Sequence, residues 1–190
     1  KEYAAGLAET IELERATPST EIGGMDTLAE TGTNTTHFSV IDTEGNRVAA
    51  TLSINLPFGS GYAPAGTGVL LNDEMDDFAV KPSTPNAYGL TGGQANRIEP
   101  GKRPLSSMTP SFLEAEDRVA ILGTPGGSRI ISMVLLGVLD FAEGHLPSSW
   151  VSLPRFHHQY LPDEVQFEPG GLTQQEQSGL QKLGHTLKAI

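Results

Sequence analysis

The chain predicts an α+β domain, and three observations carry that reading. Two pairs of short alternating segments, each pair joined by a polar turn, read as β-hairpins. The most apolar stretch, residues 130–141, has the length of a buried helix and follows directly on a glycine-rich turn. Strands and helices do not alternate strictly, which weighs against a doubly wound parallel sheet.

Taken in order, residues 2–15 are rich in Ala, Leu and Glu and predict a helix stopped before Pro18. Residues 18–34 are polar, rich in Thr, Gly and Glu and aperiodic, the pattern of a flexible linker. Residues 36–41 and 47–55 alternate as two strands around residues 42–46, whose Gly and Asx turn chemistry closes a hairpin. A glycine-rich loop from Phe58 through Gly68 leads to a short apolar strand, residues 69–71, and then an acidic loop, residues 72–78. Residues 81–103 hold three prolines and four glycines, and a loop of that length in a compact domain is usually a lid or a binding loop. A second hairpin is expected from residues 109–113 and 118–122. The turn 123–128 then opens the apolar helix, residues 129–143. A short helix (147–153), a strand (165–167), a helix (174–183) and a final strand (185–190) complete the expectation.

One hundred and ninety residues supply enough chain for one sizeable core. The 22 glycines and 13 prolines exceed average usage of about 7% and 5%, and their spread between apolar runs implies ordered turns. A formal charge of −11 argues against a nucleic-acid partner, which calls for a basic face. Without cysteine there is no disulfide, thiolate metal site or Cys nucleophile. No apolar run approaches the ~18 residues needed to span a bilayer. The absence of a signal peptide at Lys1 and the apolar ending at Ile190 lead us to expect a piece of a larger protein.

Several residue groups have chemistry to offer. Thr35 stands at the start of a strand behind the aperiodic run. Cleavage of the Asn34–Thr35 bond would free an α-amine, with a pKa of about 7.7–8.0, able to take the proton of its own hydroxyl. Taken alone, Thr35 reads first as an ordinary β-branched strand residue, and the rest of the chain has to overturn that reading. The turn 123–128 exposes consecutive backbone N–H groups at a helix N-terminus, a geometry that can hold an oxyanion; Gly-Gly before a helix is also a common plain turn. It is not a Walker A loop, since no Lys follows the glycines. Glu74, Asp76 and Asp77 can meet an ammonium group or a hard cation, but they lack EF-hand spacing, and acids in a loop are commonly just solvated. Ser106 and Ser107 can hydrogen-bond a carboxylate or simply form a turn. His157 and His158, adjacent on an extended segment, point to opposite faces and do not share a metal readily. They and His37, on the same strand face as Thr35, read as structural.

The order of these motifs is more specific than any one of them. Thr-Thr-His-Phe-Ser (35–39), Asn55, Gly-Ser-Gly (59–61), Leu-Leu-Asn-Asp-Glu-Met-Asp-Asp-Phe (70–78), Pro-Gly-Lys-Arg-Pro-Leu-Ser-Ser-Met (100–108), Thr-Pro-Gly-Gly-Ser-Arg (124–129) and Arg-Phe-His-His-Gln (155–159) follow one another along the chain. The series closely resembles the γ-glutamyltranspeptidase family, from about residue 1 to the end. Residues 1–34 resemble the C-terminal tail of that family's large subunit. Residues 35–190 resemble its small-subunit catalytic domain, short of its usual C-terminus.

The resemblance implies an N-terminal-nucleophile hydrolase fold, an αββα sandwich that is partial here and completed by the large subunit in a heterodimer. It implies self-cleavage between Asn34 and Thr35, then transfer of the γ-glutamyl group of glutathione and other γ-glutamyl compounds through an ester on Thr35. Water or an amino acid or peptide amine accepts the group. Gly126 and Gly127 match the family's oxyanion glycines, and Ser53 the hydroxyl residue bonded to the nucleophile, with Ser in place of the more familiar Thr. Asn55, Glu74 and Asp77 match residues that bind the substrate α-ammonium; Glu74 stands where some relatives carry Gln. Ser106 and Ser107 match those that hold the α-carboxylate. Residues 82–93 resemble the lid loop, with Tyr88 as its gating tyrosine, bonded to Asn55. The arginine that clamps the substrate carboxylate in the family lies upstream of Lys1. No cofactor and no metal are implied, and the family's usual place is periplasmic or extracellular. A cephalosporin or glutaryl acylase of the same family, and a γ-glutamyl-binding protein that never cleaves, are the competing readings.

Overall fold

The computed structural model describes residues 2–9, 11–18, 34–81 and 84–190. Most of the expected linker, residues 19–33, and the first two residues of the expected lid, 82–83, lie outside the described residues.

The N-terminal helix α1 spans Glu2–Ala8, shorter than the 2–15 predicted. Ile11 N–H already bonds the Ala8 carbonyl in a tighter, three-residue turn, and residues 11–18 are irregular. A helix this short gains little from propensity alone, so a composition rich in good helix formers overstates its length. Strands β1 (Thr35–Ile41) and β2 (Arg47–Ser53) form the first hairpin, antiparallel, with Thr35 opposite Ser53 and His37 opposite Thr51. Its turn works as the Asx chemistry predicts: Asp42 Oδ1 accepts from the N–H of Glu44 (2.9 Å) and of Asn46 (2.8 Å).

The strand expected at 69–71 does not form. Leu71 instead closes the preceding loop, donating to the Tyr62 carbonyl and accepting from the N–H and the hydroxyl of Ser60. Its backbone groups are therefore satisfied without a ladder. The acidic loop coils into a 3₁₀ turn, Glu74–Asp77. The second hairpin, β3 (Ser111–Glu114) with β4 (Val119–Leu122), follows as predicted.

A 3₁₀ turn, Gly127–Arg129, leads into helix α2 (Ile130–Ala142), which packs on α3 (Pro147–Ser152), β4 and β5 (Phe156–His157). Ile130, Val134, Gly137 and Phe141 are buried at helical spacing, and Ile130 is 1% exposed. Burying such a side chain contributes about 1.5–3 kcal/mol. The opposite stripe, Ile131, Leu135 and Leu139, is apolar yet about half exposed, so α2 is buried on one face only. Strand β5 was not predicted; two residues carry no readable period.

Strand β6 (Val165–Phe167), helix α4 (Gln174–Leu183) and β7 (Leu187–Ala189) form a parallel βαβ unit, a local alternation that the sequence reading passed over. A capping box starts α4: Thr173 Oγ1 accepts from Glu176 N–H, and the Glu176 carboxylate accepts from Thr173 N–H. Antiparallel β5 completes a three-stranded mixed sheet. No helix among the described residues is long and apolar enough to cross a membrane.

Candidate active site

The hairpin register brings the first hydroxyls together. Because Thr35 lies opposite Ser53, their side chains share one face, and Thr35 Oγ1 sits 3.0 Å from Ser53 Oγ. Ser53 Oγ also accepts from Asn55 N–H at 2.9 Å. Two residues along the same face, His37 Nδ1 contacts Thr51 Oγ1 at 2.8 Å and Nε2 contacts Ser39 Oγ at 3.0 Å. Burial pushes the His37 pKa below its ordinary value. Gly123 lies flat against that ring, where a Cβ would fall 2.0 Å from His37 Nδ1. The histidine therefore braces the hairpin against the glycine turn; it does not line the cleft.

One cleft gathers nine of the ten residues that the family resemblance assigns to the site: Thr35, Ser53, Asn55, Glu74, Asp77, Tyr88, Ser106, Ser107 and Gly127. The tenth, Gly126, faces an adjoining cavity of about 620 Å³ lined in part by Arg129, Met133, Arg155 and Glu168. The glycine turn requires glycine. Gly127 has φ +56°, and a Cβ there would lie 2.7 Å from the Tyr88 ring; Gly126 has φ +145°, with a Cβ 2.2 Å from Met133 Cε.

Across the cleft the acidic turn concentrates negative charge. Asp77 is pushed up to about 7, first by burial and then by the charge and hydrogen bonding of Glu74, with Asp76 and Asp73 adding to it. One oxygen of Glu74, Oε1, is buried without a hydrogen-bond partner. An unpaired carboxylate oxygen beside a carboxyl that resists ionisation marks a place where a cationic group would be held strongly. Asn55 is 4% exposed and sits in the left-handed region at φ +70°, which Asn tolerates better than most residues. Its carbonyl accepts from the Tyr88 hydroxyl at 3.0 Å, the bond expected between these two residues. On the serine segment, Ser106 Oγ accepts from Met108 N–H, and the Ser107 carbonyl accepts from Thr109 Oγ1, which fixes the backbone that presents both hydroxyls.

Two contributors, Asp73 and Gln159, went unread in the sequence, and Asp76, read there only as a member of the acidic cluster, proves to be a tether. Asp73 Oδ1 accepts from Leu56 N–H (3.1 Å), tying the acidic turn to the end of β2. Asp76 Oδ2 accepts from Ala87 N–H (2.9 Å), tying it to the tyrosine loop. Gln159 Nε2 donates to the Tyr88 carbonyl (3.0 Å). Only contact across 11 to 71 residues of chain reveals these roles, and no local pattern signals them. The two neighbouring histidines part as expected: His157 is buried against Ser132 and Gln159, and His158 meets Asp163.

The gamma-glutamyltranspeptidase family pattern matches residues 1–190. The glutathione hydrolase proenzyme of Escherichia coli (strain K12) is 45% identical over 172 residues, covering 90% of this chain and 30% of that protein. That of Pseudomonas sp. (strain A14) is 44% identical over 186 residues, covering 97% of this chain and 32% of that protein. The chain thus spans about a third of the length of these curated relatives. A crystal structure of a Helicobacter pylori gamma-glutamyltranspeptidase mutant superposes with a TM-score of 0.76 at 46% identity, over 82% of this chain and 84% of the other.

Proposed function

The chain belongs to the gamma-glutamyltranspeptidase family, and from that premise we propose that it forms the catalytic part of a γ-glutamyltransferase and glutathione hydrolase whose nucleophile is Thr35. The observation that carries the reading is the cleft itself. A threonine hydroxyl bonded to a second hydroxyl lies between a glycine turn that requires glycine and a carboxylate pair.

Residues 1–34 are then the tail of a large subunit and residues 35–190 the small-subunit domain. The fold is the family's αββα sandwich, completed by the large subunit, which supports the half-exposed apolar stripe on α2 as a contact face. Activation begins when Thr35 Oγ1 attacks the Asn34 carbonyl carbon. The Asn34–Thr35 C–N bond breaks as the nitrogen takes up the hydroxyl proton, which leaves an Asn34 ester on Oγ1 and a free Thr35 α-amine. Water then hydrolyses the ester to an Asn34 carboxylate and the free hydroxyl. That amine, with a pKa of about 7.7–8.0, is the base an uncleaved threonine lacks.

In turnover the α-amine takes the Thr35 hydroxyl proton as Oγ1 bonds to the γ-carbonyl carbon of the donor. Ser53 Oγ, 3.0 Å away, orients the attacking oxygen. The Gly126 and Gly127 turn places backbone N–H groups where the carbonyl oxygen gains charge, and the amide C–N bond breaks as the leaving amine receives the proton. Water or an incoming amine then attacks the γ-glutamyl ester and regenerates Thr35. Glu74, Asp77 and Asn55 hold the donor's α-ammonium, while Ser106 and Ser107 donate to its α-carboxylate. An acylase of the same family, handling a glutaryl side chain without an ammonium, gains nothing from the acidic turn.

Intact-mass measurement of the full-length protein and turnover of a γ-glutamyl anilide test the reading together. We expect a new chain beginning at Thr35 and release of the anilide, both abolished by Thr35→Ala. A cleaved protein that turns over glutaryl but not γ-glutamyl substrates would replace the transferase with the acylase. A chain that stays uncut and inactive would leave a binding protein.

A further inference from the structure

Tyr88 is 7% exposed, and its ring lies against Gly127, so its position decides the shape of the cleft beside the glycine turn. Its own loop holds it only locally: Asn86 Oδ1 accepts from the N–H of Tyr88 and of Leu90, both at 3.0 Å. A separate tie arrives from 71 residues away, where Gln159 Nε2 donates to the Tyr88 carbonyl at 3.0 Å and to the Leu161 carbonyl. With its amide N–H groups committed, Gln159 turns Oε1 toward His157 Nε2 at 2.8 Å. An amide oxygen only accepts, so His157 carries its proton on Nε2. Nδ1 then accepts from Ser132 Oγ at 2.7 Å, on the buried face of the β5–α2 contact. Burial pushes His157 below its ordinary pKa, in keeping with the neutral ring this chain of donors requires.

We infer that Gln159, oriented by His157 and Ser132, is a positioning residue that, beside the bond of the Tyr88 hydroxyl to the Asn55 carbonyl and the Asp76 tie to Ala87, seats Tyr88 over the cleft and thereby helps set how tightly a γ-glutamyl donor is enclosed. The inference rests on the function proposed above, since it gives the tyrosine loop an enclosing role. Gln159 touches no reacting atom. It acts through the Tyr88 backbone, which no substitution of the Tyr88 side chain removes. The relay also joins the helix that follows the glycine turn to the loop lying across it.

The test uses the full-length processed protein. Gln159→Leu is expected to raise KM for a γ-glutamyl anilide roughly two- to tenfold, the worth of one hydrogen bond, with kcat changed less than about twofold. In a Tyr88→Ala background the same substitution should add nothing, because no ring remains to be seated. Equal effects in both backgrounds, or an unchanged KM, would overturn the inference. Should Gln159→Leu fail to process, Gln159→Glu keeps the shape and removes the donor, and the same non-additivity is expected of it. Amide hydrogen exchange across residues 84–91 reads the relay without catalysis. Faster exchange in Gln159→Leu is expected, and unchanged exchange sinks the relay even where the wild type turns over. A wild type that turns over no γ-glutamyl substrate while exchange does accelerate would sink the proposed function and leave the relay standing.

Discussion

Two short 3₁₀ turns face each other across the cleft and work in opposite ways. The acidic turn, Glu74–Asp77, acts through side chains: their charge is crowded, partly buried and responsive to pH. The glycine turn, Gly127–Arg129 with Gly126 before it, acts through the absence of side chains and offers backbone groups that do not titrate. The first turn is thus open to graded tuning, whereas the second tolerates almost no change. That asymmetry suits a site that binds a zwitterionic head at one end and stabilises an oxyanion at the other.

The largest effect belongs to the glycine turn. Gly127→Ala places a Cβ 2.7 Å from the Tyr88 ring at a positive φ, so the turn must shift. We expect kcat on a γ-glutamyl anilide to fall by about 10²–10³, the usual consequence of losing one oxyanion donor. A loss confined to KM would show that this turn binds and does not stabilise charge.

Next comes Asp77→Asn, which keeps the shape and removes the charge. Losing a charge-assisted hydrogen bond costs about 1.5–3 kcal/mol, so KM should rise roughly 10- to 150-fold while kcat falls far less. If kcat and KM change alike in both turns, the contrast between them fails.

The smallest and sharpest effect is the pH dependence. Asp77 must ionise to hold an ammonium, and its pKa stands at about 7, so donor KM should fall as pH rises through that value. For the free protein the sign is reversed. The folded state holds the Asp77 proton that an unfolded chain releases near pH 3.8, so this group's contribution to stability fades as pH rises from about 4 through 7. Glu74→Gln removes the Glu74 charge, the second cause of the shift, and leaves burial, the first, with the smaller contributions of Asp76 and Asp73. The KM midpoint should therefore move partway down, without reaching an ordinary carboxylate value. A midpoint that does not move would assign the shift to burial and to the charges of Asp76 and Asp73.

Much of this arrangement was legible in the chain. The hairpin around Asp42, the helix after Gly127 and the capped helix Gln174–Leu183 follow from turn chemistry, apolar spacing and capping residues, all of them local. The strand expected at 69–71 failed because Leu71 met its hydrogen-bond needs within its own loop, a choice that composition does not record. The helix expected over residues 2–15 stopped at Ala8, where the Ile11 N–H turns back to the Ala8 carbonyl, because favourable composition alone does not sustain a helix this short.

The order of motifs along the chain establishes which residue types meet at the site, since hydroxyls, carboxylates, serines and glycines follow one another in a family-specific series. Tertiary structure alone decided their state. The hairpin register sets Thr35 against Ser53, burial with crowding keeps a proton on Asp77 up to about pH 7, and Gln159 reaches Tyr88 from 71 residues away. The physical reason is range. Spacing along the chain encodes turns and faces, whereas desolvation, charge repulsion and long-range hydrogen bonds arise only when distant segments meet.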